Sequence, residues 1–561
     1  MLRSLLLAAT VLAPLPALAQ GVAGPYLSAR IAGFNNDYAA AGDSYADLVE
    51  SGERDPQILE NALIIFAVLG DVETAVDVAD LLEEAGMPSQ FASNARLVKA
   101  LIDGDYATVD TLLEETVGGP LLDGLLKGWV AAARGETEAA LIAFDELAET
   151  EAFTSFALRH KAYLLALEGD YAAADVIMSG ESESGPLSAT ARGIAAHAQV
   201  LSQLGRSEDA LELVTAANDV TSSALLRDVQ ARLEAGETLP FDLLRDARDG
   251  MAEAYFVFAA LLAGETSTTY TISSARAVGL LRPDHVEAAV LTAQLLESQD
   301  QLELAAEALD GIPEDNPSFW EAEIARADVM HAAGEDEAAL AALTALTESH
   351  GDKVEVWAAA ADLARRLDRY EEAAAAYDRA IDLLPEVTER NWLLFYARGI
   401  AHERMGEWDA AEADFRRALE LNPGNPNVLN YLGYGLVEQR IKLDEALDMI
   451  ERAVEARPND GYITDSLGWV LYRLGRYEEA VDPMERAVEL RPLDPLINDH
   501  LGDVLWAVGR KREARFQWQR ALSLEPEEQV ERIRRKLDVG LDVVLEEEGG
   551  VGPIEAASDD N

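Results

Sequence analysis

The last third of the chain is written in units. Five segments close on Pro385, Pro423, Pro458, Pro492 and Pro526, a repeat of 34 to 38 residues. A period of that length with apolar residues at helical spacing restricts the chain to stacked helix pairs. Inside each unit a residue with little or no side chain recurs where two helices must touch. On the first helix it is Ala361, Gly399, Gly433, Gly468 and Gly502; on the second it is Ala373, Ala411, Ala446, Ala480 and Ala514. Nothing larger fits cheaply between closely packed backbones. A second alanine series, Ala380, Ala418, Ala453, Ala487 and Ala521, follows seven residues later and faces the next unit. Trp357, Phe395, Tyr377, Phe415 and Trp518 fill the gaps, and the closing proline ends each pair because it cannot continue a helix.

These residues make the chain resemble the tetratricopeptide repeat family, whose pattern SLGWVLYRLGRYEEAVDPMERAVELRP at 466–492 follows nearly throughout. Two departures stand out. One extra residue lies between Gly433 and Ala446, in QRIKLDEA, and reads as a longer turn within an intact repeat. The linker Glu386–Asn391 adds four residues before the next helix and reads as a small hinge.

Upstream the prolines fade, yet a small residue followed by a charged one and then alanines can still be traced. It falls at Asn36, Gly70, Gly104, Gly135, Gly169, Gly205, Gly236, Gly264, near Gln301 and at Gly334. The spacing, roughly 28 to 36 residues, is that of a helical repeat under relaxed constraint. The fold expected is therefore all-α: a right-handed solenoid of about fourteen helix pairs, degenerate over 20–350 and regular over 351–526. The open end of such a stack needs a cover. EEQVERIRRKLDVGLDVVLEEE supplies one as a capping helix over 527–546, with Val530, Ile533, Leu537, Leu541 and Val544 as its apolar stripe. Arg532, Arg534, Arg535 and Lys536 fall largely off that stripe. The acidic tail 547–561 reads as disordered, and 179–193 as the long loop of the array.

The first nineteen residues read as a secretory signal: Arg3, then the apolar run Leu5–Leu18, then Ala17-Leu18-Ala19 before Gln20. No later apolar run reaches membrane-spanning length, so the mature chain is expected to be periplasmic. With no cysteine in the sequence, disulfides, thiol catalysis, cysteine-ligated metals and a lipoprotein anchor are all excluded. A formal charge of −58 argues against nucleic acid and anionic membrane as partners. The charge is uneven: residues 1–353 hold 19 Lys/Arg against 59 Asp/Glu, residues 354–561 hold 26 against 44. The less acidic end is where an acidic partner would dock, although the charge also serves to keep a long solenoid soluble.

No constellation for catalysis, cofactor or metal emerges. His160, His197, His285, His331, His350, His402 and His500 form no HxxxH pair, and no G-x-S-x-G or phosphate-cradling glycine loop is present. The repeats leave no unassigned stretch long enough for an enzyme domain, so the chain reads as non-enzymatic.

In the family resembled, the first helices line a concave groove that holds a peptide or a partner's surface. Placed on that pattern, the groove shows Tyr396, Asn427, Asn430, Tyr434, Tyr462, Asp465, Trp469, Tyr472, Arg473, Asp499, Asp503 and Trp506. Tyr and Trp gain most from covering a partner; packing on the adjoining second helix is the competing role. Tyr434 and Trp469 stand where a carboxylate clamp would need asparagine, so a clamp of that kind is not expected, while Arg366, Arg404 and Arg473 remain to meet an acidic segment. The run from NYLGYGLVEQR to FQWQRAL resembles the C-terminal repeats of envelope tetratricopeptide proteins of Gram-negative bacteria. That resemblance implies an adaptor or scaffold for exported proteins or peptides. The alternative is a polysaccharide-binding solenoid serving glycan export or cell-wall assembly, with Trp469 beside Asp465 and Trp506 beside Asp503 stacking on sugar rings.

Overall fold

The computed structural model describes residues 23–549 except 116, 183–184, 219–222, 265–266 and 527–528. The signal-like segment and the tail beyond 549 lie outside the described residues. Those described form 31 α-helices and one 3-10 turn, with no strand among them. They divide into two compact units, Met1–Leu343 and Thr344–Asn561.

The first unit opens with the pairs α1 (Ala23–Phe34) and α2 (Tyr38–Glu50), α3 (Pro56–Leu69) and α4 (Val72–Glu84), and α5 (Gln90–Asp103) and α6 (Tyr106–Glu114). Next come α7 (Pro120–Ala133) and α8 (Thr137–Ala148), α9 (Thr154–Leu167) and α10 (Tyr171–Met178), and α11 (Ala191–Gln203) and α12 (Ser207–Asn218). The faded repeat signal has a local cause. Asn36, Gly70, Gly104 and Gly169 take positive φ and close a first helix. The aspartate after each, Asp37, Asp71, Asp105 or Asp170, accepts from the amide three residues on and caps the second helix. One dipeptide thus supplies a left-handed stop and an N-cap.

Gly236 departs from this pattern. It ends α13 (Ala224–Glu234), but no partner helix follows, and an irregular stretch leads to α14 (Ala247–Leu262), which pairs with α15 (Thr268–Leu281). The remaining helices are α16 (Val286–Glu297), α17 (Leu302–Leu309), α18 (Phe319–Ala332) and α19 (Asp336–Ser349), in which the division between units falls. Nor is this unit a nearest-neighbour stack alone. Helix α14 packs on α7, and α15 on α3 and α5. The close approach is made by Gly250, where a Cβ would stand 2.2 Å from Trp129 Cδ2.

The second unit is regular: α20 (Val354–Arg366) with α21 (Tyr370–Asp382), α22 (Trp392–Arg404) with α23 (Trp408–Leu421), and α24 (Pro426–Glu438) with α25 (Leu443–Ala456). It continues with α26 (Gly461–Arg473) and α27 (Tyr477–Leu490), then α28 (Pro495–Ala507) and α29 (Lys511–Ser523). The ten second-helix alanines of both series are fully buried. A Cβ on Gly399 would meet Phe415 at 2.7 Å, on Gly433 Ile450 at 2.7 Å, on Gly468 Met484 at 2.5 Å, and on Gly502 Trp518 at 2.4 Å. The repeat therefore couples an absent side chain on one helix to a large one on its partner. The extra residue of QRIKLDEA is absorbed by two left-handed residues, Arg440 and Lys442, and α24 still packs on α25. In the linker, Thr388 and Asn391 form a capping box around the 3-10 turn Glu389–Asn391.

Two expectations for the C-terminal cover are corrected. It is not one helix but two, α30 (Val530–Val539) and α31 (Leu541–Glu547), because Gly540 takes φ 91°, ψ 157° and breaks the ladder. Ile533, Leu541 and Val544 are buried as the stripe predicts, but so is Lys536, at 0% exposure. Its ammonium finds two carboxylates beneath the cover, so charge and not hydropathy brings that position inward.

Candidate functional site

The first helices α22, α24, α26 and α28 present one register of side chains, and α26 touches both α24 and α28. The twelve groove residues lie on this register but meet different surroundings along it.

At the α28 end the face is filled by the chain itself. Lys536 Nζ donates to Asp499 at 2.9 and 2.8 Å and to Asp503 at 2.7 Å. Asp503 also accepts from Trp518 Nε1 at 2.9 Å. Trp506 Nε1 donates to Asp542 of α31 at 3.0 Å, and a Cβ on Gly540 would lie 2.5 Å from the Trp506 ring. Burial, and then the Asp503 charge, push the Asp499 carboxyl above its ordinary range despite Lys536.

On α26 the groove residues pack on one another. The Trp469 ring stacks on His500 at 4.0 Å and on Tyr472 at 5.0 Å, and its Nε1 donates to Glu438 at 3.0 Å. His500 Nδ1 bonds both oxygens of Asp465, at 3.1 and 3.0 Å. Burial alone would lower the imidazole's pKa; the Asp465 contact overcomes it and holds the pKa above its ordinary value. Arg473 Nη1 shares Glu438 at 3.0 Å, and Tyr462, 52% exposed, lies under Arg491 at 4.9 Å.

The expectation of open aromatics is corrected here. Trp469 and Trp506 are each 8% exposed, and Tyr472, Asp465, Asp499 and Asp503 are buried. His500, Glu438 and Lys536, which the groove pattern omits, cover them. Neither Trp469 nor Trp506 presents a flat ring to a sugar, and the aspartates beside them are engaged within the chain. Arg404 lies over Tyr370 at 5.4 Å, so it too has a partner within the chain.

Toward α22 and α24 the face opens. Tyr396 is half-buried and meets Tyr431 edge-on at 5.5 Å and Phe415 at 6.1 Å. Tyr431 is 43% exposed and Leu393 53%. Asn427 Oδ1 accepts from Arg457 at 3.1 Å, whereas Asn430 Oδ1 is buried and has no hydrogen-bond partner. Burial raises the phenol pKa of both Tyr396 and Tyr434, so each remains a neutral hydroxyl. This end combines exposed apolar groups and aromatic rings, the features that enrich protein interfaces.

Among the described residues no group of His, Asp or Glu is arranged to hold a metal ion, and no helix is long and apolar enough to cross a membrane.

Family models described as tetratricopeptide repeats match residues 324–387, 392–425 and 438–495. The "TPR repeat-containing protein PA4667" of Pseudomonas aeruginosa is 32% identical over 109 residues. That match spans 19% of this chain and 18% of that relative. Among solved structures, the APC/C hetero-tetramer Cut9–Hcn1 aligns over 93% of this chain and 97% of its own at 15% identity and TM-score 0.39. A tetratricopeptide repeat protein from Parabacteroides merdae aligns over 46% of this chain and 98% of its own, at 18% identity and TM-score 0.38.

Proposed function

As the chain is a tetratricopeptide repeat protein, we propose that it is a non-enzymatic adaptor of the Gram-negative cell envelope, holding exported proteins or peptides along α22, α24 and α26. Tetratricopeptide repeat proteins mediate protein–protein interaction, and that much holds for this chain. The periplasmic location is our reading of Arg3, the apolar run and the Ala17-Leu18-Ala19 site. The single observation that carries the binding face is the open end of the register. Leu393 and Tyr431 stand exposed there, beside the half-buried ring of Tyr396.

The test is affinity capture from a periplasmic extract with the chain from Gln20 onward, beside a Leu393→Ala/Tyr431→Ala variant. Tyr431 also packs on Tyr396 and Phe415, so the variant's helicity is compared with the parent's by circular dichroism before capture. Enrichment of one or a few exported proteins that the variant loses is the expected result. Equal capture by both proteins would remove the face, and polysaccharide without protein would overturn the adaptor reading.

A further inference from the structure

Away from the groove, an uncompensated charge sits in the first unit. Arg276 on α15 reaches toward α3 and α5, its stem 3.5 Å from the point where a Cβ on Gly70 would stand. Its Nε and Nη2 are buried and have no hydrogen-bond partner, and among the described residues it forms no ion pair. These two nitrogens share one edge of the guanidinium, the fork that grips a carboxylate or other anion with two parallel bonds. The end of α3 offers partial negative charge nearby, but none of its carbonyls accepts from the fork. Exposed Glu307 favours the charged form without reaching ion-pair distance, and burial prevails, lowering the Arg276 pKa. Arg276 as a whole is only partly buried, but its Nε–Nη2 edge is dry and unbonded, and leaving such donors unmet is costly.

The surroundings define what would satisfy it. Arg276 lines a cavity of about 20 Å³ with Asn94, Ser273 and the apolar Ala67, Ala95 and Leu280. Asn94 donates to Ser273 Oγ at 3.4 Å and accepts from Tyr255 at 3.1 Å, which leaves the Ser273 O–H available as a donor. The cavity therefore offers N–H and O–H donors and no carboxylate. A water needs roughly 10–15 Å³ of such space, so the occupant is of that scale. We propose that Arg276, with Ser273, binds one monatomic halide anion at the junction of α3, α5 and α15.

The probe is chloride itself. The ³⁵Cl line width of sodium chloride is measured with the full chain, with Arg276→Met and with Ser273→Ala, at constant ionic strength held by sodium gluconate. Excess broadening in the parent that bromide removes, that is lost in Arg276→Met and weakened in Ser273→Ala, is the expected result. Broadening equal in all three proteins overturns the proposal. Because Arg276→Met alters a packed site, a second measurement uses the parent alone: anomalous scattering from a bromide-soaked crystal. A bromide within hydrogen-bond distance of Nε and Nη2 supports the site, and its absence there with bromide bound elsewhere refutes it.

Discussion

Lys536→Met should detach the C-terminal cover while leaving the repeats beneath it folded. The ammonium is 0% exposed and bonds Asp499 and Asp503 at 2.7 to 2.9 Å. Methionine keeps most of the stem's volume, so the loss is electrostatic. Breaking a buried pair by removing one partner costs about 3–5 kcal/mol; Arg532, 3.6 Å from Asp503, still faces one of the two carboxylates left behind, which points to the lower part of that range. The sign of the pH dependence follows from Asp499. Its carboxyl already sits above its ordinary value through burial and the Asp503 charge, and removing Lys536 raises it further. A folded pKa above the unfolded one means that the folded state prefers the proton. The penalty is thus full above the folded pKa and fades as pH falls through it toward the unfolded value near 4.

A 561-residue repeat chain does not unfold in one step, so the appropriate assay is local: native-state hydrogen exchange of amides in 530–547. The opening free energy of those amides should fall by about 3–5 kcal/mol at pH 7, or to nothing if the parent value is smaller, and by progressively less as pH falls toward the unfolded value near 4. Adding Asp499→Asn and Asp503→Asn to Lys536→Met should restore much of the protection, since the amide oxygen introduced in place of the Asp503 carboxylate can still accept from Trp518 Nε1. A loss below about 1 kcal/mol, the scale of an exposed pair, or one unchanged with pH, would refute the buried triad.

Gly502→Ala should destabilise the second unit more than Gly468→Ala, within a range of about 1–3 kcal/mol, in urea titrations. The new methyl meets the fixed Trp518 ring at 2.4 Å and the Ala514 carbonyl at 3.2 Å in the first case, but only the flexible Met484 in the second. Equal effects would mean that the indole yields. His500 has a raised pKa, so its contribution is complete below the unfolded value near 6.5 and is lost as pH rises through the folded value. The second unit's urea midpoint should accordingly fall above pH 6.5, with Asp465, Asp499 and Asp503 as the charges facing the ring, and Asp465→Asn should flatten that dependence. Trp469→Ala should cost about 3–5 kcal/mol by opening a cavity between His500 and Tyr472, and an unchanged midpoint would contradict its burial.

Which features the sequence announces depends on how far apart the responsible atoms lie along the chain. The Gly399/Phe415 and Gly468/Met484 contacts recur at one fixed offset, so a single period exposes them all. Likewise Gly70-Asp71 is legible because stop and cap are adjacent residues. Lys536 is not legible in this way. Its partners are 33 and 37 residues upstream, and a helical stripe counts hydropathy, not a carboxylate waiting on another helix. The Gly250–Trp129 contact of the first unit spans still more chain and leaves no periodic trace. Register was enough to assign Trp469 to the face but could not show that His500, on the next first helix, would stack over it.

The same geometry explains why the two ends of the second-unit face differ. Each first helix is covered on one side by the next, so α26 shields its rings with His500 of α28, and α28, the last of the series, takes α30 and α31 instead. Aspartates that would repel one another in a dry interior are tolerable there because the cover brings its own lysine. Toward α22 the contacts across the face are aromatic, Tyr396 on Tyr431 and on Trp392. On the proposed reading, a bound segment would gain most by lying across α22 and α24, where Leu393 and Tyr431 leave apolar area exposed. Extending it onto α28 would require breaking the Trp506–Asp542 and Lys536–Asp499 contacts before any were replaced. The cover that stabilises the end of the stack would then also set the limit of the proposed binding face.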